Sequence, residues 1–355
     1  MITTIPAKSE IIVLEDKILK EMDKDGTLYL RNGSTLEKSE DWGVTFTSLN
    51  TFSDVIRRVA AVDDNTILVI TNDGEVYKSN EAKTSFTNVH TLTGVPADWG
   101  GFDTCDNIAL ISEYTGSSVR KVYLSIDFGQ TWTTMVDFLT FLPQPNGMSH
   151  IHDVRYDPYE GLIWVVCGDG LDGDMVFFTD NFGASWQELA SSEFRRYTAI
   201  IPFPDEVYFG TDEFFELGLD RHVRPETGTS QSDVIPDRFW RRRWNTEDIA
   251  PFNWASTPAI VYNVKYPLVV FGHKMAEADE NGPTAKIPTS LFAMDSRKRV
   301  YTLWTEAKLP DAQTRAGILS VYGPTSDGVI AADLRALYPD GNGIVRDSHI
   351  LKITL

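Results

Sequence analysis

The sequence predicts an all-β chain folded as a single closed β-propeller of four-stranded antiparallel blades, with seven blades expected and six as the alternative. Two observations carry this reading. An eight-residue pattern, Ser/Thr-x-Asp/Asn-x-Gly-x-Thr/Ser-aromatic, recurs as SEDWGVTF from Ser39, SIDFGQTW from Ser125 and TDNFGASW from Thr179, with SNEAKTSF from Ser79 as a decayed copy. The copies start 40 to 54 residues apart, the span of one four-stranded blade. Between them run short stretches of alternating apolar and polar residues bounded by turn residues, the period of strands.

The pattern suits a tight turn between two strands. Asp41, Asp127 or Asn181 can accept hydrogen bonds from backbone N–H groups of the turn. Gly43, Gly129 and Gly183 supply a conformation that other residues resist, and Phe46, Trp132 and Trp186 can pack between neighbouring sheets. The pattern resembles the Asp-box of the sialidase-like, or BNR-repeat, β-propellers. That resemblance implies that Asp41, Asp127 and Asn181 are structural and lie on the face opposite the ligand site.

Blades follow in order from the apolar runs and their turns: residues 15–50, 54–93, 98–138, 148–190, 195–250, 256–306 and 314–355. The last supplies only three strands, GILSVYG, GVIAADL and HILKITL, and the leading SEIIVLE is expected to be its fourth. Pairing the two ends of the chain would remove an exposed sheet edge. Residues 1–355 are thereby read as one domain with an excursion at 216–255 from the fifth blade, and a second insertion, MAEADENGPTAKIP from Met275, reads as an exposed loop.

The chain can bury a large core, with 42% hydrophobic and 12% aromatic residues in 355. Its net charge of −19 argues against nucleic acid, whose phosphates it would repel. No run approaches a membrane span, and MITTIPAKSEIIVLED lacks a basic region followed by an apolar stretch, so neither membrane insertion nor an export signal is expected. Cys105 and Cys167 sit in apolar strand-like contexts and are expected to be free thiols. The acidic chain has one opposite patch: RFWRRRW, from Arg238 to Trp244, packs four arginines and three aromatics into seven residues. Arg238, Trp240, Arg241 and Trp244 are read there as a partner-binding surface, because Trp and Arg dominate interface hot spots.

Propeller topology sorts the remaining polar residues. The innermost strand of each blade starts at the face where the second strand ends, and the turn between the third and fourth strands falls on the other face. Second-strand ends then present Asp73, Glu113, Asp169, Asp212, His273 and Asp333 in equivalent places, with Asp73 in an ordinary Asn-Asp-Gly turn. The innermost strand HIHDVRYDP puts His150 and His152 two residues apart, on one side of an extended strand. His150, His152, Glu113 and Asp169 form the candidate catalytic group. A His with a neighbouring carboxylate can act as general base, and two carboxylates can divide acid and base roles in glycoside cleavage. Asp212, His273, Arg58, Arg196 and Arg315 are candidate ligand-binding residues, the arginines suited to carboxylate or sulfate groups. No cofactor is expected; an i, i+2 pair on a strand could present His150 and His152, with a carboxylate, to one divalent metal ion, a reading that no His-x-x-x-His helix or Cys cluster reinforces.

The stretch from ISEYTG at Ile111 to YTAIIPFPDEVYFGTDE is similar to a run in uncharacterised BNR-repeat proteins of bacteria and their phages. The early Arg-Ile-Pro signature of true sialidases and an assignable Tyr–Glu pair are missing. The resemblance implies a carbohydrate-oriented propeller. The leading expectation is a phage virion-associated propeller engaging host-surface glycan or another virion protein, in the virion or alternatively the cytoplasm. The alternatives are a glycoside hydrolase or polysaccharide lyase acting on an acidic glycan, and an inert structural module.

Overall fold

The computed structural model describes residues 3–4, 8–14, 16–63, 65–97, 100–114, 120–141, 150–168, 175–189, 197–211, 219–223, 253–255, 259–261, 268–274, 290–295, 300–305, 315–337 and 345–354. Strands dominate. Short β1 (Thr3–Thr4) and β2 (Lys8–Leu14) precede a first sheet of β3 (Ile18–Met22), β4 (Leu28–Asn32), β5 (Thr35–Ser39) and β6 (Thr47–Thr51). The second sheet holds β7 (Ile56–Ala61), β8 (Ile67–Thr71), β9 (Glu75–Ser79) and β10 (Phe86–Thr91). The third holds β11 (Phe102–Cys105), β12 (Ile108–Ser112), β13 (Lys121–Ser125) and β14 (Thr133–Asp137), followed by the single turn α1 (Phe138–Phe141). The fourth comprises β15 (His150–Asp157), β16 (Leu162–Gly168), β17 (Met175–Thr179) and β18 (Gln187–Leu189), and the fifth β19 (Tyr197–Pro202), β20 (Glu206–Thr211) and β21 (Leu219–Val223).

The rest of the chain builds two further groups. β22 (Asn253–Ala255) and β23 (Ala259–Val261) both pair with β24 (Leu268–Lys274), which continues to β25 (Ser290–Asp295) and β26 (Val300–Thr305), with β1 added in parallel at the edge. The last group runs β27 (Arg315–Tyr322), β28 (Val329–Leu337), β29 (Val345–Thr354) and then β2. One residue pair, Lys274 with Gly317, links the two. β2 thus pairs antiparallel with β29.

The sheets stack face to face, so their middle strands are apolar on both sides. In β8, ILVIT, all five residues are buried, as they are in β12, IALIS. Leu36 of the first sheet meets Ile67 and Val69 of the second in one cluster, and Leu68 and Ile70 meet Ala109 and Ile111 in the next. Leu110 and Val122 meet Val165 and Phe177, and Trp164 and Val166 meet Ile200 and Phe209. At the other end of the chain Leu291 meets Ile330 and Leu351, while Ala331 and Ile350 meet Leu19 and Leu30 of the first sheet.

The repeated turns join β5 to β6, β13 to β14 and β17 to β18. In the second, Thr131 N and Oγ1 donate to the two oxygens of Asp127 at 2.8 and 2.6 Å, and Gly129 N donates to Ser125 Oγ at 2.9 Å. Asp41 accepts the same two bonds from Thr45 at 2.8 and 2.6 Å, and Asn181 accepts from Ser185 N at 2.9 Å while its amide donates to Ser185 Oγ at 2.8 Å. These side chains therefore hold their turns. The residues before the glycines, Trp42, Phe128 and Phe182, also have positive φ of 58, 58 and 53°. In the decayed copy Asn80 replaces the acid one position early, accepting from Thr84 N and Ser85 N, and Lys83 takes the left-handed position at φ 57°. The aromatics do pack between sheets: Phe46, Phe86, Trp132 and Trp186 each join the apolar cluster shared with the preceding sheet.

Candidate functional site

Register places the site and the repeated turns at opposite ends of the sheets. Ser39, Ser125 and Thr179, which open the turns, pair with Leu28, Ala109 and Ile163 near the starts of the second strands. His150 instead pairs with Gly168 at the end of β16, and Glu113 follows the end of β12.

The inner strands share a feature at that end. Pairing skips one residue in β3 between Leu19 and Glu21, in β7 between Ile56 and Arg58, in β15 between Ile151 and Asp153, in β19 between Tyr197 and Ala199 and in β27 between Ile318 and Ser320. Each bulge inserts an extra residue, re-aiming the side chains around it. The inserted residues are Lys20, Arg57, His152, Thr198 and Leu319. The alternation rule that puts His150 and His152 on one side of a regular strand therefore does not apply unchanged. The bulge still brings them together.

The imidazole rings of His150 and His152 lie 4.6 Å apart between centroids, with Nε2 of each 2.7 Å from the other. His152 is buried and half-buried His150 lies beside it. His152 Nδ1 is 2.6 Å from the Tyr197 carbonyl oxygen, which can only accept. Nδ1 therefore carries a proton, and the neutral ring offers a lone pair at Nε2. The Tyr114 ring covers both, 4.3 Å from His150 and 6.2 Å from His152 between centroids.

Beyond the bulge lies a buried charge network. Asp153 accepts from Gly101 N at 3.0 Å and Ile200 N at 3.3 Å, tying the inner strands of the third and fifth sheets to the fourth. Arg155 spans Asp153 and Asp103, with Nε to Asp153 Oδ2 at 3.3 Å and Nη1 to Asp103 Oδ1 at 2.8 Å. Burial outweighs the Arg155 charge at Asp103 and raises its pKa. The sequence carried a signal for these positions: two adjacent polar residues interrupt otherwise apolar strands at Lys20–Glu21, Arg57–Arg58 and His152–Asp153.

Glu113 does not join the histidines. It is fully buried, and its Oε1 accepts from Thr93 Oγ1 at 2.8 Å, Gly94 N at 2.7 Å and Tyr123 Oη at 2.8 Å, while Oε2 accepts from Lys121 N at 3.3 Å. The carboxylate ties the loop after β10 to β13, and burial with this bond pushes the Tyr123 phenol up to about 12. Expected at the mouth, it is spent inside the wall. Its backbone N–H donates to Lys121 O at 3.0 Å, and its side chain meets Thr93 and Gly94 of the loop after β10.

Arg58 is likewise buried, its charge felt by Glu21 and Tyr322 on the first and last sheets. Asp333 is fully buried at the backbone pair with Ser320. Asp73 accepts from Thr71 within its turn and from Ser53 of the loop after β6. His273 and Arg315 are placed by backbone alone, opposite Ala255 and Leu337. Asp169, Arg196, Asp212 and the excursion residues Arg238, Trp240, Arg241 and Trp244 lie outside the described residues. Among the described residues no group of three or more His, Cys, Asp or Glu is arranged to hold a metal, and no helix is long and apolar enough to cross a membrane. Neither cysteine forms a disulfide, and burial pushes the Cys105 thiol up to about 11.

No family model and no curated protein matches the sequence. Solved structures do. YCF48 from Cyanidioschyzon merolae is similar over 98% of both chains, with 14% identity and a TM-score of 0.59. YCF48 bound to D1 peptide is similar over 100% of both chains, with 11% identity and a TM-score of 0.57. At these identities the likeness speaks to the fold, and the chain has the β-propeller fold.

Proposed function

We propose that this chain is a binding propeller, one closed ring of seven blades over residues 1–355, that docks a polypeptide partner. Support for the ring comes from the packing of β28 and β29 against β3, which sets the last sheet beside the first. The observation that carries binding over catalysis is the state of Glu113. A general acid or base must reach the substrate, and this carboxylate is buried under four donors. The YCF48 structure that holds a D1 peptide makes a peptide segment the occupant to test first.

The setting we propose is a virion, where the partner would be another virion protein, on the strength of the resemblance to repeat proteins of bacteria and their phages. Arg238, Trp240, Arg241 and Trp244 are the residues we assign to docking. Overlapping peptides from co-assembling virion proteins, measured by fluorescence anisotropy, test this. Trp240→Ala with Arg241→Ala should weaken the best peptide by about thirtyfold or more, at roughly 2 kcal/mol or above for a hot spot. Unchanged binding in the double variant removes the assignment.

A second reading, a glycoside hydrolase or polysaccharide lyase acting on an acidic glycan, is favoured by the paired histidines at the expected mouth. Turnover of an anionic oligosaccharide that His150→Ala abolishes would establish it. Glycan capture without turnover would keep the propeller a binder and change its partner.

A further inference from the structure

We propose that His150 and His152 supply two donors to a divalent transition-metal ion of the zinc class. This is independent of the docking reading. Three observations converge on the pair. The two Nε2 atoms lie 2.7 Å apart, so a small opening of the pair leaves room for one ion between them. Tyr197 O accepts from His152 Nδ1, the outer hydrogen bond by which metal-bound imidazoles are usually oriented, and it fixes the tautomer whose lone pair is at Nε2. The bulge at His152 and the Tyr114 ring hold the pair in position.

The distances suit an ion after a small adjustment. Metal–nitrogen bonds of about 2.0–2.1 Å at a tetrahedral angle separate two donors by roughly 3.3 Å. Slight rotation of half-buried His150 would open the pair from 2.7 Å to about that separation. In the absence of metal one proton sits between the two Nε2 atoms; on binding, His150 carries its proton at Nδ1 and both lone pairs face the ion. Imidazole donors select zinc, copper, nickel or cobalt over magnesium and calcium. With no third donor among the described residues, the other positions go to water or to a donor side chain of a bound partner.

Cobalt(II) chloride is the probe, added to the full-length protein and followed by its visible absorption and by calorimetry. The expected result is about one Co2+ per chain, displaced by Zn2+ and indifferent to excess Mg2+. His150→Gln and His152→Gln should each weaken binding by about tenfold or more. Circular dichroism checks that each variant is folded; if His152→Gln is not, His150→Gln at the half-buried position decides alone. Absence of stoichiometric uptake, or wild-type affinity in every folded variant, overturns the proposal.

Discussion

A Cβ built on Gly129 would stand 2.6 Å from Leu68 Cδ1, so the turn between β13 and β14 lies directly on the second strand of the preceding sheet. A Cβ on Gly183 would likewise crowd Met135 on the fourth strand of the preceding sheet, and Gly43 approaches Leu14 at 3.3 Å. Each repeated turn is thus fitted to its neighbour as well as to its own strands.

Gly129→Ala should therefore cost more than conformation alone. The residue has φ of 76°, and Leu68 is buried with no free side to move into. Overpacking of about 1–3 kcal/mol adds to about 1 kcal/mol for a left-handed alanine. Gly33→Ala is the control, at φ 58° with nothing within 4 Å, and should lose only the second part. Urea denaturation of both variants with an unchanged slope would measure the difference; equal losses would show that the contact is relieved without strain.

Glu113→Ala should destabilise the fold by about 2–4 kcal/mol, because Thr93 Oγ1, Gly94 N and Tyr123 Oη lose a buried acceptor together. Glu113→Gln keeps one oxygen and should lose less. Equilibrium denaturation gives the ranking, and a Glu113→Ala variant as stable as wild type contradicts the clamp.

Asp41 ties the acid limit of the fold to one turn. Hydrogen bonds from Thr45 hold its carboxyl at about 2, below its ordinary value of 3.8. A depressed folded pKa adds stability that is present above the unfolded value and is lost as pH falls from about 4 towards 2. Asp41→Asn should flatten the dependence of melting temperature on pH within that window. An unchanged acid profile would mean the turn does not contribute.

Glu21 acts in the opposite sense. Burial raises its pKa from 4.5 to about 7, against Met22 N–H and the Arg58 charge, so the folded state binds the proton more tightly than the unfolded. Stability then falls as pH rises from about 4.5 through 7. Glu21→Gln should remove that slope and stabilise the protein at pH 8 by about 1–2 kcal/mol, allowing for partial solvent screening. Thermal melts between pH 5 and 8 check it; a steeper decline in the variant would reverse the sign.

The repeats and apolar runs made most strands legible, because burial of the middle strands on two faces leaves an unmistakable apolar run; SEIIVLE, mostly exposed, was legible as the partner of HILKITL because the last blade lacked a fourth strand. The fifth sheet shows three strands among the described residues where four were expected. The site was less legible. Position at a strand end predicted Glu113 beside the histidines, but whether a side chain turns outward or back between sheets depends on the loop it meets, here Thr93–Gly94 from another blade. The bulges broke the period-two rule at Lys20, Arg57 and His152, and only the adjacent polar pairs hinted at it. SNEAKTSF showed the converse: its turn survives with Asn80 one place early, since geometry needs an acceptor rather than a given register.

All seven residues of β2 find partners in β29, at the other end of the chain. A ribosome adding about 5–20 residues per second therefore finishes β29 roughly 20–70 seconds after β2 has been made. Throughout that interval Ile11 and Val13, still exposed at 49% and 64% in the finished fold, stand on a strand whose N–H and C=O groups have no mate. The earlier sheets can condense one against the next as they emerge, whereas the final one waits on the slowest contact in the molecule, separated by nearly the whole sequence. During biosynthesis the vulnerable edge of this protein is β2, which stays unmated until β29 follows it.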